Sequence, residues 1–187
     1  MRISKDPQER KQEILDTAMK LFLIKGYNET TMADIAKEMN VVKGLCYRYF
    51  DSKQKLFEAA MEEYVKNCSE IFIETLQDKS KPFKEKLNIL SSLMIETEKN
   101  AKYKSFFHKK GNEEFHETLI IKMYKYIYPY IKEEIDRLCK NGEINIKNSE
   151  ILINFIIYGQ IGLLTNTNYD IEITATEIKN YINKLIE

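Results

Sequence analysis

The sequence predicts an all-α protein, with a three-helix unit at the N-terminus followed by a larger helical body. Three observations carry this. Apolar residues recur at intervals of three and four along most of the 187 residues, the period of helices buried on one side. Only 6 Gly and 3 Pro interrupt them. No alternation of apolar and polar residues is long enough to suggest a strand. The boundary is expected near the start of a linking helix: residues 1–53 form the first domain, 53–75 extend it, and 76–187 form the second.

Bulk properties exclude more than they identify. Hydrophobic residues make up 43% and charged residues 31%, which fits a globular domain. Lys plus Arg equals Asp plus Glu at 29 each, so any nucleic-acid partner would have to be met by a local basic patch. The stretch MRISKDPQER has no apolar region of a signal peptide. The longest apolar run, Ile151 to Leu164, is broken by Asn154, Gln160 and two glycines and is too short to span a bilayer. Cys46, Cys68 and Cys139 lie far apart, as reduced thiols do in a cytoplasmic protein. There is no nucleophile elbow, P-loop or HExxH, so neither enzyme activity nor a cofactor is expected. His108 and His116 are eight residues apart without neighbouring Cys ligands, and no metal site is expected.

The helices can be bounded one by one. Asp6 caps the first, Pro7 takes its first position and Gly26 ends it. Thr31 to Asp34 makes a capping box for a short second helix with Ile35, Ala36 and Met39 inward. Asn40 tolerates the left-handed turn that must follow. A third helix covers about Val42 to Phe50. Asp51 and Ser52 start a long fourth one, with apolar positions from Leu56 through Phe72. Further helices are expected from Pro82 to Lys99, Tyr103 to Lys109 before Gly111, and Glu113 to Cys139 with a bend at Pro129. The last two run from Ser149 to Leu164 and Ile173 to Ile186.

Residues 30–53, TTMADIAKEMNVVKGLCYRYFDSK, are the informative segment. Two short helices joined by a tight turn can place the second in the DNA major groove, about 12 Å wide. Residues 39–50 contain Lys43 and Arg48 and no acid. Gly44 would let the backbone approach DNA closely, and Tyr47 and Tyr49 offer hydroxyls to phosphates. Lys53 falls in the first turn of a helix, where a cation is disfavoured, unless a phosphate lies nearby. Taken singly, each of these residues reads more readily as a solvated surface group; the ordered set does not.

In order and spacing, residues 10–65 resemble the N-terminal domain of the tetracycline-repressor (TetR) family. The resemblance runs through Gly26-Tyr27, Thr30-Thr31, Ile35-Ala36, Val41, Lys43-Gly44, Tyr47-Arg48-Tyr49-Phe50, Ser52-Lys53 and Leu56-Phe57. It implies a phosphate contact at Thr31 and base-edge contacts from Lys43, Gly44 and Leu45. Tyr47, Arg48 and Tyr49 would meet phosphates and thymine methyls, and Lys53 would clamp the flanking backbone. Beneath them Ile35, Ala36, Val41, Cys46 and Phe50 would form a small core. Val42 departs from the family, which often has Ser or Thr there, so a cap and a phosphate contact are lost. Cys46 replaces a larger aliphatic residue and is read as core filler, with a redox role as the alternative.

The resemblance also implies a ligand-responsive regulator, most simply a repressor released from a palindromic operator of double-stranded DNA by a small-molecule effector. The last two helices would form a homodimer interface through Leu152, Phe155, Ile156, Gly159, Leu163, Ala175, Ile178, Ile182 and Leu185. Burial inside one subunit is the other reading of their apolar girth. A mostly apolar effector would sit among Met94, Phe107, His108, Met123, Tyr126, Phe155 and Tyr158, with Phe106 and Tyr130 nearby, although these residues also read as ordinary core. Two rivals remain, a helical ligand- or protein-binding module that does not read DNA and an enzyme, for which no motif speaks; activation instead of repression is an alternative within the regulator reading.

Overall fold

The structure, a computed structural model, describes residues 6–100, 102–166 and 168–186. Among them are α1 (Pro7–Lys25), α2 (Met32–Glu38), α3 (Lys43–Tyr49), α4 (Lys53–Gln77), α5 (Phe83–Asn100), α6 (Lys104–Phe107), α7 (Glu113–Lys140), α8 (Ser149–Leu164) and α9 (Ile171–Ile186), and no strand. The protein is all-α, as expected. It divides into two compact units, one reaching to Tyr64 and one from Val65 on, so that α4 is shared between them. No helix among the described residues is long and apolar enough to cross a membrane.

In the first unit, local chemistry fixes each helix end. Asp6 Oδ1 accepts the Gln8 N–H at 2.8 Å, and Gly26 at φ 94° closes α1. The Thr31 hydroxyl accepts the Asp34 N–H at 3.1 Å, and the Asp34 carboxylate accepts the Thr31 N–H at 2.9 Å. Asn40 is left-handed at φ 53° and turns the chain from α2 into α3. Ser52 Oγ accepts the Lys55 N–H at 3.1 Å and starts α4. Beneath these ends Ile14, Ala18, Phe22, Ile35, Cys46 and Leu56 are sealed from solvent. The Phe22, Tyr27 and Phe57 rings pack with centroids 5.0–5.7 Å apart.

In the second unit, Phe72, Ile73 and Leu76 of α4 bury against Ile127 of α7, with Leu90, Leu93 and Met94 of α5 at their edge. A second cluster joins Ile135 and Leu138 of α7 to Ile153 and Ile157 of α8. Helix α9 packs on α5, where Ser91 donates its hydroxyl to the Ala175 carbonyl at 3.1 Å. Gln160, which breaks the apolar run of α8, accepts the hydroxyl of Tyr124.

An ion network that the sequence pattern did not flag ties these helices together. Lys86 is 0% exposed; its ammonium donates to the Leu76 carbonyl at 2.7 Å and to Glu134 Oε1 at 2.7 Å. Arg137 grips the same carboxylate through Nε at 2.8 Å and Nη2 at 3.1 Å. Leu76 lies in the last turn of α4, whose carbonyls lack helical partners, so Lys86 caps that end. Helix α7 runs unbroken through Pro129, which sits on an exposed position.

Candidate nucleic-acid interface

The inner and outer faces of α3 differ sharply. Cys46 is sealed inside and Phe50, at its C-cap, is buried. Val42, Lys43, Gly44, Tyr47 and Arg48 are exposed, while Leu45 and Tyr49 are half-buried. The spacing explains the split: Cys46 and Phe50 are four apart, and Lys43, Gly44 and Tyr47 lie on the opposite side. Lys43 Nζ lies 5.3 Å from the centroid of the Tyr47 ring, and the Arg48 guanidinium 5.3 Å from that of Tyr49. These contacts hold two cations over aromatic faces without neutralising them. An added Cβ at Gly44 would meet nothing within 4 Å, so nothing among the described residues requires a glycine there.

The acids nearby are compensated. Asp34 is held at about 2 by the Thr31 hydroxyl, the Thr31 N–H and Lys25, whose ammonium is 3.2 Å away. Glu38 is lowered by its hydrogen bond from Lys20 at 2.9 Å. Both α2 carboxylates are thus paired with α1 lysines, and α3 has no acid of its own. Burial pushes the Cys46 thiol up, against a smaller opposing pull from Arg10, which keeps it a packing group.

Several expected residues do something other than the sequence suggested. Lys53 donates to the carbonyls of Tyr27 at 2.7 Å and Asn28 at 3.2 Å, and lies 4.4 Å from the Tyr27 ring centroid. Those carbonyls give the cation in the first turn of α4 partners inside the unit. The exposed Thr31 has its hydroxyl engaged in the capping box, donating to Asp34 Oδ2 at 2.6 Å. Val42 caps α3 without a side-chain hydrogen bond, as its missing hydroxyl implied. Val41 and Met39 are only half-buried, and Met32, absent from the expected core, is buried.

The residues expected in the second unit separate into groups. Phe155 and Tyr158 are each 68% exposed and point away from the interior, so they do not line a cavity within one chain. Met94 and Tyr130 edge the Phe72 cluster, Phe106 and Phe107 are buried, Met123 is half-buried, and Tyr126 and His108 are exposed. Of the expected interface, Ala175 and Ile178 are buried inside the chain, because that side of α9 faces α5. Leu152, Ile156, Leu163 and Ile182 are half-buried, and Gly159 and Leu185 are exposed. The exposed apolar residues instead include Ile151, Phe155 and Tyr158 on α8, and Ile173, Tyr181 and Leu185 on α9.

Comparison with known proteins matches the reading of the first unit. The family model described as bacterial regulatory proteins, tetR family, matches residues 14–60. An uncharacterized HTH-type transcriptional regulator of Bacillus subtilis, YuxN, is 44% identical over 57 residues, 30% of this chain and 20% of that protein. The biofilm operon icaADBC HTH-type negative transcriptional regulator IcaR of Staphylococcus epidermidis is 38% identical over 66 residues, 35% of this chain and 34% of its own length. The chain therefore covers 20% and 34% of these relatives' lengths. Across the whole chain the likeness is one of fold. A crystal structure of a TetR-family regulator from Mesorhizobium loti superimposes with a TM-score of 0.71 at 16% identity, covering 96% of each chain.

Proposed function

We propose that this chain, whose residues 14–60 match the model of bacterial regulatory proteins, tetR family, is a sequence-specific transcriptional repressor acting as a homodimer on double-stranded DNA. The observation that carries this is the two-sidedness of α3: Lys43, Gly44, Tyr47 and Arg48 outward, Cys46 and Phe50 inward, with no acid on the helix. Such a cylinder suits the major groove, where lysine and arginine read guanine edges and apolar groups such as Leu45 meet thymine methyls. Thr31, at the exposed N-cap of α2, and Tyr49 would lie beside the flanking phosphates. Repression is favoured over activation by the naming of IcaR as a negative regulator.

The dimer is drawn from α8 and α9. Ile151, Phe155 and Tyr158 recur at four and three residues, so they form one stripe. Gly159 and Gly162 sit beside it, and a Cβ at either would meet nothing within 4 Å. A helical glycine costs about 1 kcal/mol against alanine. No packing among the described residues calls for these two, whereas close approach of a second chain would. Two-fold pairing would set two copies of α3 about 34–36 Å apart on a palindrome. A small, mostly apolar effector bound by the second unit would lower operator affinity by its preference for the non-binding arrangement, with the continuous α4 as the link.

The competing reading, a helical module that has lost DNA binding, rests on Val42 and its missing cap. A gel-shift assay on DNA upstream of the chain's own reading frame separates the two. The repressor gives affinity that falls steeply with salt, and Lys43→Ala with Tyr47→Ala abolishes binding without changing the helical spectrum. Equal binding by that double variant would remove α3 as the reading element.

A further inference from the structure

The chain has 2 histidines, and the fold brings both to one place. His108 is the C-cap of α6, and His116 lies in the first turns of α7. Their rings are 4.4 Å apart between centroids. Glu98, from α5, reaches the same spot, with its Oε1 3.0 Å from His108 Nε2. One donor atom from each of the three lies within 4.8 Å of the other two. Sequence spacing hid this cluster, because one partner comes from another helix and the histidines meet only across a folded connection.

That connection is well fixed. The His108 N–H donates to the Lys104 carbonyl at 2.9 Å, and Asn112 Nδ2 to the Phe106 carbonyl at 2.8 Å. Gly111 takes φ 93° and donates its N–H to the Glu113 carboxylate at 2.9 Å. The His116 N–H donates to the Asn112 carbonyl at 3.1 Å. In the same connection, the Phe106 and Phe115 rings stack with centroids 5.7 Å apart.

A His108–Glu98 ion pair explains two of the three groups. It does not explain why a second, buried imidazole stands against the first, where a protonated His108 would be repelled by any charge on it. A metal ion does, since it needs lone pairs from neutral imidazoles and a carboxylate. Two imidazoles and one carboxylate form a donor set for zinc, leaving a fourth position for water or an exogenous ligand. Zinc bonds of about 2.0–2.2 Å would place tetrahedral donors about 3.3 Å apart, which asks for closure of at most about 1.5 Å. Lys104 Nζ also lies 3.2 Å from Glu98 Oε1, and its exposed ammonium is free to leave for water when a dication arrives.

We propose that Glu98, His108 and His116 bind one divalent zinc-class ion in the C-terminal unit. This stands apart from the DNA-reading assignment, and either can fail alone. The test is calorimetric titration of the tag-free, chelator-treated full chain with Zn²⁺, and with Mg²⁺ as comparator. Long-range ¹⁵N spectra follow the two imidazoles in parallel. The expected result is one equivalent of Zn²⁺ per chain, no saturable Mg²⁺ binding, and both imidazoles shifting together. His108→Ala and Glu98→Gln should each weaken binding at least tenfold, while Cys68→Ser with Cys139→Ser leaves it unchanged. His108 and Glu98 are partly exposed, so these variants keep the fold even if replacing buried His116 does not. Absence of saturable binding, equal uptake of Mg²⁺, binding lost only in the cysteine variant, or an unchanged affinity in His108→Ala would overturn the site.

Discussion

Replacing Lys86 by methionine tests how the second unit is held together. Methionine keeps most of the stem's packing and removes the charge. Two bonds vanish, one at 2.7 Å to the Leu76 carbonyl and one at 2.7 Å to Glu134. Removing one member of a buried pair costs about 3–5 kcal/mol. Glu134 keeps its two-pronged contact with Arg137, so the lower end applies, about 3 kcal/mol. For a protein of this size each kcal/mol moves the midpoint by about 2–4 °C, giving a drop of about 6–12 °C by calorimetry or circular dichroism at pH 7. The loss should shrink in acid. Burial pushes the Glu134 carboxyl up, but the hydrogen bonds from Arg137 and Lys86 outweigh it and the net shift is downward from 4.5. Its stabilisation is therefore present above the unfolded value and lost as pH falls through the folded one. Removing both charges, Lys86→Met with Glu134→Leu, should recover part of the loss, since Arg137 retains Glu143 at 3.0 Å. A drop under about 2 °C for Lys86→Met would refute the reasoning, because a buried pair cannot lose one member so cheaply.

Three further outcomes are expected. Phe155→Glu with Tyr158→Glu should yield monomers in sedimentation with the helical spectrum retained, because both side chains face outward; an intact dimer would place the interface elsewhere. Asn40→Val should destabilise the first unit by roughly 1–2 kcal/mol in a denaturant melt while Asn40→Gly is tolerated, since only the latter accepts a left-handed φ without strain; equal melts would remove the turn argument. Lys53→Ala should lower the melting point of the first unit by the equivalent of about 1.5–3 kcal/mol, the worth of a charged hydrogen bond. A wild-type melt with a salt slope reduced by about one would instead return Lys53 to phosphate binding.

The helix ends were legible in the sequence because each is set by chemistry within four residues: Asp6, Thr31 with Asp34, Asn40 and Ser52 all act where their neighbours implied. The two faces of α3 were legible for the same reason, as a helix fixes which residues share a side. Long-range partners were not. The Tyr27 and Asn28 carbonyls that Lys53 binds lie some twenty-five residues away. Lys86 and Glu134 are separated by 48 residues, and a lysine in an amphipathic pattern reads as surface. Periodicity named apolar positions on α9 but not which side met α5, so Ala175 and Ile178 were placed on the outer face. Glu98 joins the histidines only through the packing of α5, α6 and α7, a contact that no spacing rule anticipates.

The most direct measurement is a paired melt and DNA-affinity determination on Gly44→Leu. The position is solvent-facing and a Cβ there meets nothing within 4 Å, so the fold has room for a side chain. If α3 lies in the groove with Gly44 against DNA, the variant should melt at or slightly above the parent, because leucine is the better helix former, yet lose at least tenfold in affinity. Full affinity in a stable Gly44→Leu protein would mean that this side of α3 never meets DNA.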